Sequence, residues 1–281
     1  MVAILMLKLP SCTRVVLAAV ALLLFLGSVR PAQAQQNEEF DNYKLRVYTL
    51  WFYSSPTGSI EGPTGEQPID IQSELDFQNY STFNAKVDWK FTRKNHLYVT
   101  IAPNDISRTT TLTRTIEYEG QTFTANLVVQ SNLHSFLVAP GYQYDIIRRR
   151  RGHLGIGVQL DLIDSTARIH ADAQIVGGEP QAARTAFGSL LAPIPVAGPQ
   201  FRLYLTNSPK LYLEGNVYGM YLFGYGNLVS TSDWLGISLA KHLSLDLGYQ
   251  LGSRLVINNA ADRPGFRLTQ KGAIAGLDFT F

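Results

Sequence analysis

The sequence predicts an all-β protein, an antiparallel transmembrane β-barrel of about ten strands behind an N-terminal secretory segment. Three observations predict it. Stretch after stretch alternates apolar and polar residues with a period of two, as a strand with one lipid face and one interior face must. After the N-terminal segment, no run approaches the ~18 uninterrupted apolar residues of a membrane helix. Only helices and closed barrels satisfy their backbone in lipid. Finally, the connections between these stretches are in turn short and long.

Lys8 and Arg14 precede an unbroken apolar run, Val15 to Leu26, followed by Ala32-Gln33-Ala34. A basic flank, an apolar core and an A-x-A site are the parts of a signal peptide, residues 1–34, with cleavage after Ala34. The run is too short to span a bilayer, which takes ~20 residues. Leu9-Pro10-Ser11-Cys12 has the outline of a lipid-attachment box but comes before the apolar core, so no lipid anchor is expected. Loss of Lys8, Arg14 and Arg30 with the leader lowers Lys+Arg from 24 to 21 against 22 acids, and the net charge from +2 to −1. The basic balance therefore gives no support for nucleic-acid binding. The single cysteine, Cys12, leaves as well, and with it any disulfide or thiolate ligand. Residues 35–42 form a polar, acidic lead-in expected to be disordered, and 43–281 form the barrel.

The strands follow in order. Tyr43, Leu45, Val47, Thr49, Trp51 and Tyr53 alternate with Lys44, Arg46, Tyr48, Leu50 and Phe52 in the first. Phe83, Ala85, Val87, Trp89 and Phe91 alternate with Asn84, Lys86, Asp88 and Lys90 in the second. Leu97, Val99 and Ile101 open the third, and Phe136, Val138, Tyr142, Tyr144 and Ile146 mark the fourth. Leu154 to Leu162 carries the fifth, and Phe201, Leu203 and Leu205 end the sixth. Leu211, Leu213 and Val217 give the seventh, and Leu235, Ile237 and Leu239 the eighth. Leu243 to Leu251 is the ninth, and the tenth runs from about Phe266 to Phe281. The mixed stretches 102–116, 123–133 and 164–175 read as strands continuing above the membrane.

Tight polar connections fall at Thr92–Asn95, Arg148–Gly152, Asn207–Lys210 and Ala240–His242. Connections that are longer or richer in Gly and Pro fall at Ser54–Asn79, Glu117–Gln121, Val176–Arg184, Phe223–Asn227 and Val256–Gly265. Short turns on one side and long loops on the other are the pattern of membrane barrels, and both termini then lie on the short-turn side. Two places fit poorly. Asp233 falls on the lipid-facing phase, which predicts a bulge in the eighth strand. Pro193, Pro195 and Pro199 predict an irregular or rim segment within 190–199.

The chain ends Ala275-Gly276-Leu277-Asp278-Phe279-Thr280-Phe281, alternating to an aromatic last residue. A terminal Phe on such a strand resembles the C-terminal signal of bacterial outer-membrane β-barrels. The resemblance implies that Phe281 is an assembly signal read by the barrel assembly machinery, that outer-membrane lipids are partners, and that the bacterial outer membrane is the location.

If Leu, Val and Phe face lipid, the opposite phase is the interior. It holds Lys44, Arg46, Lys86, Lys90 and Arg202 with Asp88, Asp145, Asp161, Glu214, Asp246 and Asp278. A cation facing mid-depth hydrocarbon costs roughly 2–4 kcal/mol. Inside a narrow barrel the same charges must find partners. The near-balance of signs favours a salt-bridged, plugged or narrow small-solute lumen over a selectivity ring, which is biased to one sign. The function read from this is a structural or narrow small-solute barrel. Two alternatives stand beside it: a surface-binding or adhesion protein working through the Ser54–Asn79 loop with Gly58, Gly62 and Gly65, and an outer-leaflet hydrolase.

For the hydrolase the histidines are His96, His134, His153, His170 and His242. His242-Leu243-Ser244 superficially resembles the H-x-S element of lipid A deacylases, and His170-Ala171-Asp172 resembles half of the omptin protease site. Neither brings the nucleophile–base constellation that such chemistry needs. No phosphate loop, dinucleotide fingerprint or metal motif is present, and no catalytic residue or cofactor is predicted. Arg148-Arg149-Arg150-Arg151 reads as a solvated turn, or as a contact with lipid phosphates.

Overall fold

A computed structural model describes residues 40–61, 67–207, 210–258 and 265–281. The signal-peptide segment, Cys12 and most of the lead-in lie outside the described residues. Ten long strands form the barrel: β1 (Leu45–Glu61), β2 (Tyr80–Lys90), β3 (Asn95–Thr111), β4 (Val128–Arg149) and β5 (Gly152–Ala171), then β6 (Arg184–Tyr204), β7 (Leu211–Leu222), β8 (Gly226–Ala240), β9 (Leu243–Ile257) and β10 (Gly265–Thr280). Each pairs antiparallel with its neighbour in sequence. β10 returns to β1, with a register running from Arg46↔Thr280 to Glu61↔Gly265. The ring is closed, and no strand is left as a free edge over its full length.

The apolar phase faces outward. Phe83 is 68% exposed, and Leu97, Ile156, Val158, Leu213, Leu247 and Leu251 are exposed with it. Trp89–Phe91, Trp51–Tyr53 and Tyr221–Phe223 are outward aromatic pairs. The opposite phase is buried, with Arg46, Asp88, Asp145, Arg202, Asp246 and Asp278 among its members.

β4 runs 22 residues, β5 20 and β6 21, about twice the 9–11 that a tilted strand needs to cross. They continue beyond the apolar band at the long-loop end, as the mixed stretches 123–133 and 164–175 predict for β4 and β5; the length of β6 goes beyond that reading. Two expectations change in detail, and a third holds. The segment Ser54–Glu61 is strand rather than loop, because β10 pairs with β1 along all of it. The segment 190–199 is regular strand despite its prolines. β6 pairs with β5 along its whole length, but with β7 only over Ala197–Tyr204, skipping Gly198 and Pro199. At Pro193 and Pro195 one side of β6 has no ladder to interrupt, and proline is tolerated on such a side. The bulge expected near Asp233 is present as a register shift between Thr231 and Asp233.

The long connections fold inward. Ile69, Ile71, Leu75 and Phe77 of the β1–β2 connection pack with Leu112, Ile116, Tyr118, Phe123 and Leu127 of the β3–β4 connection. Wall residues Ile106, Leu133 and Ile169 complete this apolar lid. Burying each large apolar side chain is worth ~1.5–3 kcal/mol, enough to hold loops in the mouth. Asp70 shapes one of them, its Oδ1 accepting from the backbone of Gln72 and Ser73 at 3.0 and 2.7 Å. Arg114 ties the two connections by pairing with Glu74 and donating to Pro68 O at 2.8 Å.

Below the lid a strut crosses the interior: the hydroxyls of Tyr98 on β3 and Tyr218 on β7 are hydrogen-bonded at 2.8 Å. Two glycines make room for it. A Cβ at Gly141 would lie 2.4 Å from the Tyr98 ring, and one at Gly157 would lie 2.4 Å from the Tyr218 hydroxyl. Gly141→Ala is therefore expected to displace the ring and destabilise the barrel by about 1–3 kcal/mol. The urea midpoint of the protein refolded in bilayers measures this, and an unchanged midpoint would show that the ring can yield freely.

Candidate functional site

The short-turn end of the interior is a floor of ion pairs. Arg46, 1% exposed, donates from Nε to Asp278 Oδ2 at 2.7 Å and from its two Nη atoms to Glu214 at 3.1 and 2.9 Å. Arg202, 2% exposed, donates from Nε to Glu214 at 2.7 Å, from Nη1 to Asp41 at 3.0 Å and from Nη2 to Asp278 at 3.4 Å. Arg46 lies on β1 and Arg202 on β6, opposite one another in a ring of ten, so these bonds span the bore. Tyrosines finish the network. Tyr48 donates to Glu214 at 2.8 Å, Tyr212 donates to Asp246 at 2.7 Å, and the guanidinium groups stack on their rings. Breaking one partner out of such a buried set strands the other charges, at roughly 3–5 kcal/mol.

A second set adjoins it. His96 sits between Asp88 and Asp145, at 3.2 and 3.3 Å. Tyr43 donates to Asp88 at 2.8 Å, and Arg148 pairs with Asp145 at 2.9 Å. Asp41 joins the two sets, meeting Lys90 at 3.3 Å, His153 at 2.9 Å and Arg202 at 3.0 Å.

Of the eleven interior residues read from the sequence, Arg46, Asp88, Lys90, Asp145, Arg202, Glu214, Asp246 and Asp278 meet in this floor. Lys86 and Asp161 stand one level higher, in the wall of a cavity. Lys44 does not join them. β1 starts at Leu45, so Lys44 precedes the barrel wall and is exposed. Sequence reasoning missed Asp41, His96, His153 and Arg148. His96 carried a signal, being on the inward phase directly before Leu97. Asp41 corrects the lead-in: its last residues, Phe40 to Asn42, are held in place, because the floor's cations take the Asp41 carboxylate. Only Arg148 of the arginine run turns inward; Arg149, Arg150 and Arg151 are exposed.

The cavity, about 300 Å³, lies between floor and lid. Its lower wall carries Lys86, Asn84, Asp161, Asn216, Tyr218 and Trp234, and its upper wall Phe52, Phe77, Ile106, Leu190 and Leu228.

The remaining histidines lie apart from it. His170 meets Asp172 at 3.2 Å and Thr185 at 2.7 Å on the outer surface. His134 stands across from Asp105 in the β3–β4 ladder, also exposed. His242 is at the short-turn end, its Nδ1 2.7 Å from Thr280 O and its ring stacked on Phe281. The described part of the Ser54–Asn79 segment is strand and lid, and Gly62 and Gly65 lie outside the described residues.

No family model matches the chain, and no curated protein does. Solved structures do. The outer membrane protease OmpT from Escherichia coli aligns with a TM-score of 0.56 at 10% identity, over 84% of this chain and 96% of that one. This is an outer-membrane barrel fold. Ail, the attachment invasion locus protein of Yersinia pestis, aligns at 9% identity and TM-score 0.35, over 83% and 99% of the two chains. Neisserial surface protein A aligns at 9% and 0.33, over 85% and 97%. At these identities the likeness concerns the fold alone.

Asp41 precedes β1 and gives the floor a pH dependence. Burial alone would push its carboxyl up; Lys90, the hydrogen bond with His153, and Arg202 outweigh this and hold it well below the usual carboxylate range. A depressed carboxyl adds stability above its unfolded value and loses it as the pH falls through the folded value. The stability gap between wild type and Asp41→Asn is thus expected to be full at neutral pH and to shrink below about pH 4. Urea midpoints at a series of pH values check this; a gap independent of pH would refute it.

Proposed function

We propose that the chain is exported by its leader, cleaved after Ala34, and resides in the bacterial outer membrane as a sealed, structural or narrow barrel rather than an open pore. The observation that carries this reading is the Arg46–Glu214–Arg202–Asp278 network, which ties opposite walls across the bore. An open channel needs a continuous water path. Here the path would have to pass a hydrogen-bonded ion network, the Tyr98–Tyr218 strut and an apolar lid in turn. The outward apolar phase and aromatic pairs suit a lipid surround, and the exposed Arg149, Arg150 and Arg151 suit contact with lipid phosphates beside the short turns. Purified protein is expected to give little or no conductance in planar bilayers. Large, stable channels would overturn the sealed reading.

In the same proposal Phe281 is an assembly signal for the barrel assembly machinery. Its backbone also closes the ring: its N–H donates to Leu45 O at 2.8 Å, and its carbonyl accepts from Lys44 and Leu45 at 2.7 and 3.1 Å. Deletion would remove the signal and these last bonds of the closure together, whereas Phe281→Ala keeps the backbone bonds. Phe281→Ala is expected to lower the assembled fraction severalfold in cells while leaving refolding in detergent unchanged. Equal assembly in cells would sink the signal role.

A further inference from the structure

We infer that the cavity between floor and lid is a binding site for a small zwitterionic amphiphile, with its head between Lys86 and Asp161 and its apolar part under the lid. The inference rests on the sealed reading, since a sealed floor makes the cavity an end point rather than a passage.

Lys86 and Asp161 are the charges of the interior that the floor leaves over. The Lys86 ammonium lies 4.2 Å above the Tyr98 ring. The acids nearest it are already engaged. Asp88 is bonded to Tyr43 and His96, and Glu214 to Arg46, Arg202 and Tyr48. Asp161 accepts from Gln159. Among the described residues neither charge has an ion pair, although each lines the cavity. The register sets both on one row of cross-strand neighbours. Lys86 faces Thr100, Thr100 faces Ala139, and the pairs Val138↔Leu162 and Gly141↔Gln159 set Ala139 opposite Asp161. Two small residues therefore separate a cation from an anion on one wall. A singly charged ligand would satisfy one and face the other with like charge. A head with one charge of each sign satisfies both.

Other unspent polar atoms line the same space. Trp234, 7% exposed, has an indole N–H without a partner, and the side-chain oxygens of Asn84 and Asn104 are also unpartnered. Buried polar groups of this kind ordinarily find a partner in the protein, water or a ligand. Above them the wall turns apolar. The volume, about 300 Å³, is at the low end of ligand pockets, which limits the apolar part to a short chain.

The wall also has a seam at this height. The β2–β3 ladder ends at Ala85↔Ile101, while β2 continues up to Tyr80 and β3 to Thr111. Across that stretch Thr82 reaches Pro103 O through its side chain. Asn84 faces the cavity there, and its neighbour Phe83 faces outward. A ligand arriving from the lipid would meet the cavity here.

The test uses the full mature barrel folded in a maltoside detergent, whose head is uncharged. Three probes share an octyl chain: octylphosphocholine, octanoate and octyltrimethylammonium, each kept below its micellar concentration. Calorimetry and the fluorescence of Trp234, buried while Trp51 and Trp89 face outward, read binding. The zwitterion is expected to bind saturably and at least tenfold more tightly than either singly charged probe. Lys86→Gln and Asp161→Asn are each expected to weaken it about tenfold. No saturable binding, or equal binding of a singly charged probe, would overturn the inference; so would tight binding indifferent to both substitutions. The wild-type series needs no variant to fold. Conductance reads the seal and the probes read the cavity. A conducting barrel that still prefers the zwitterion refutes only the seal, and a silent barrel that binds no probe refutes only this inference.

Discussion

Hydrocarbon offers no hydrogen bonds, and most of this structure follows from that. A sheet in lipid cannot keep a free edge, so β10 must find β1, and the ladder from Arg46↔Thr280 to Glu61↔Gly265 is the result. Closure fixes two faces. The outer one must be apolar, and the inner one takes whatever polarity the chain carries. A ring of ten strands is narrow, little wider than the eight-strand case whose side chains just fill it. Charges placed inside it cannot stay solvated, and so they are neighbours by necessity.

The interior solves this in layers. Arginine serves the floor because its planar fork bonds two carboxylates at once. Arg46 and Arg202 each do so, and their guanidinium groups lie over tyrosine rings. The middle layer depends on absence as much as presence: Gly141 and Gly157 leave the volume that Tyr98 and Tyr218 occupy. The top layer is apolar because the loops that form it lie above the lipid and can bury their own leucines and isoleucines. The cavity is what remains where the polar and apolar layers fail to meet.

Much of this was legible in the chain. Ten periods of two gave ten strands, and the same phase separated the floor acids from the lipid face. What stayed hidden has physical reasons. Asp41 belongs to no periodic stretch, so nothing local marks it as buried. Lys44 continues the inward phase, but phase means little one residue before the strand begins. The prolines of β6 looked disruptive because a sequence does not show that the neighbouring strand is shorter. Phase tells which side chains point inward, yet not which meet across the bore. Arg46 with Arg202, and Tyr98 with Tyr218, are joined by closure alone, as is the separation of Lys86 and Asp161 from the rest.

Arg46 and Asp278 are bonded across 232 positions of chain. Contacts so distant in sequence form late, because the chain between must already be ordered. The ion floor is therefore a latch that falls after the ring has shut. Run in reverse, the ring cannot part at β1–β10 without also stripping buried arginines of their carboxylates, two losses in one event. Contacts that form after the transition state raise the barrier to leaving the native state by as much as they deepen that state. The barrel's endurance is then a matter of rate, and its lifetime in the membrane is set by how seldom both give way together.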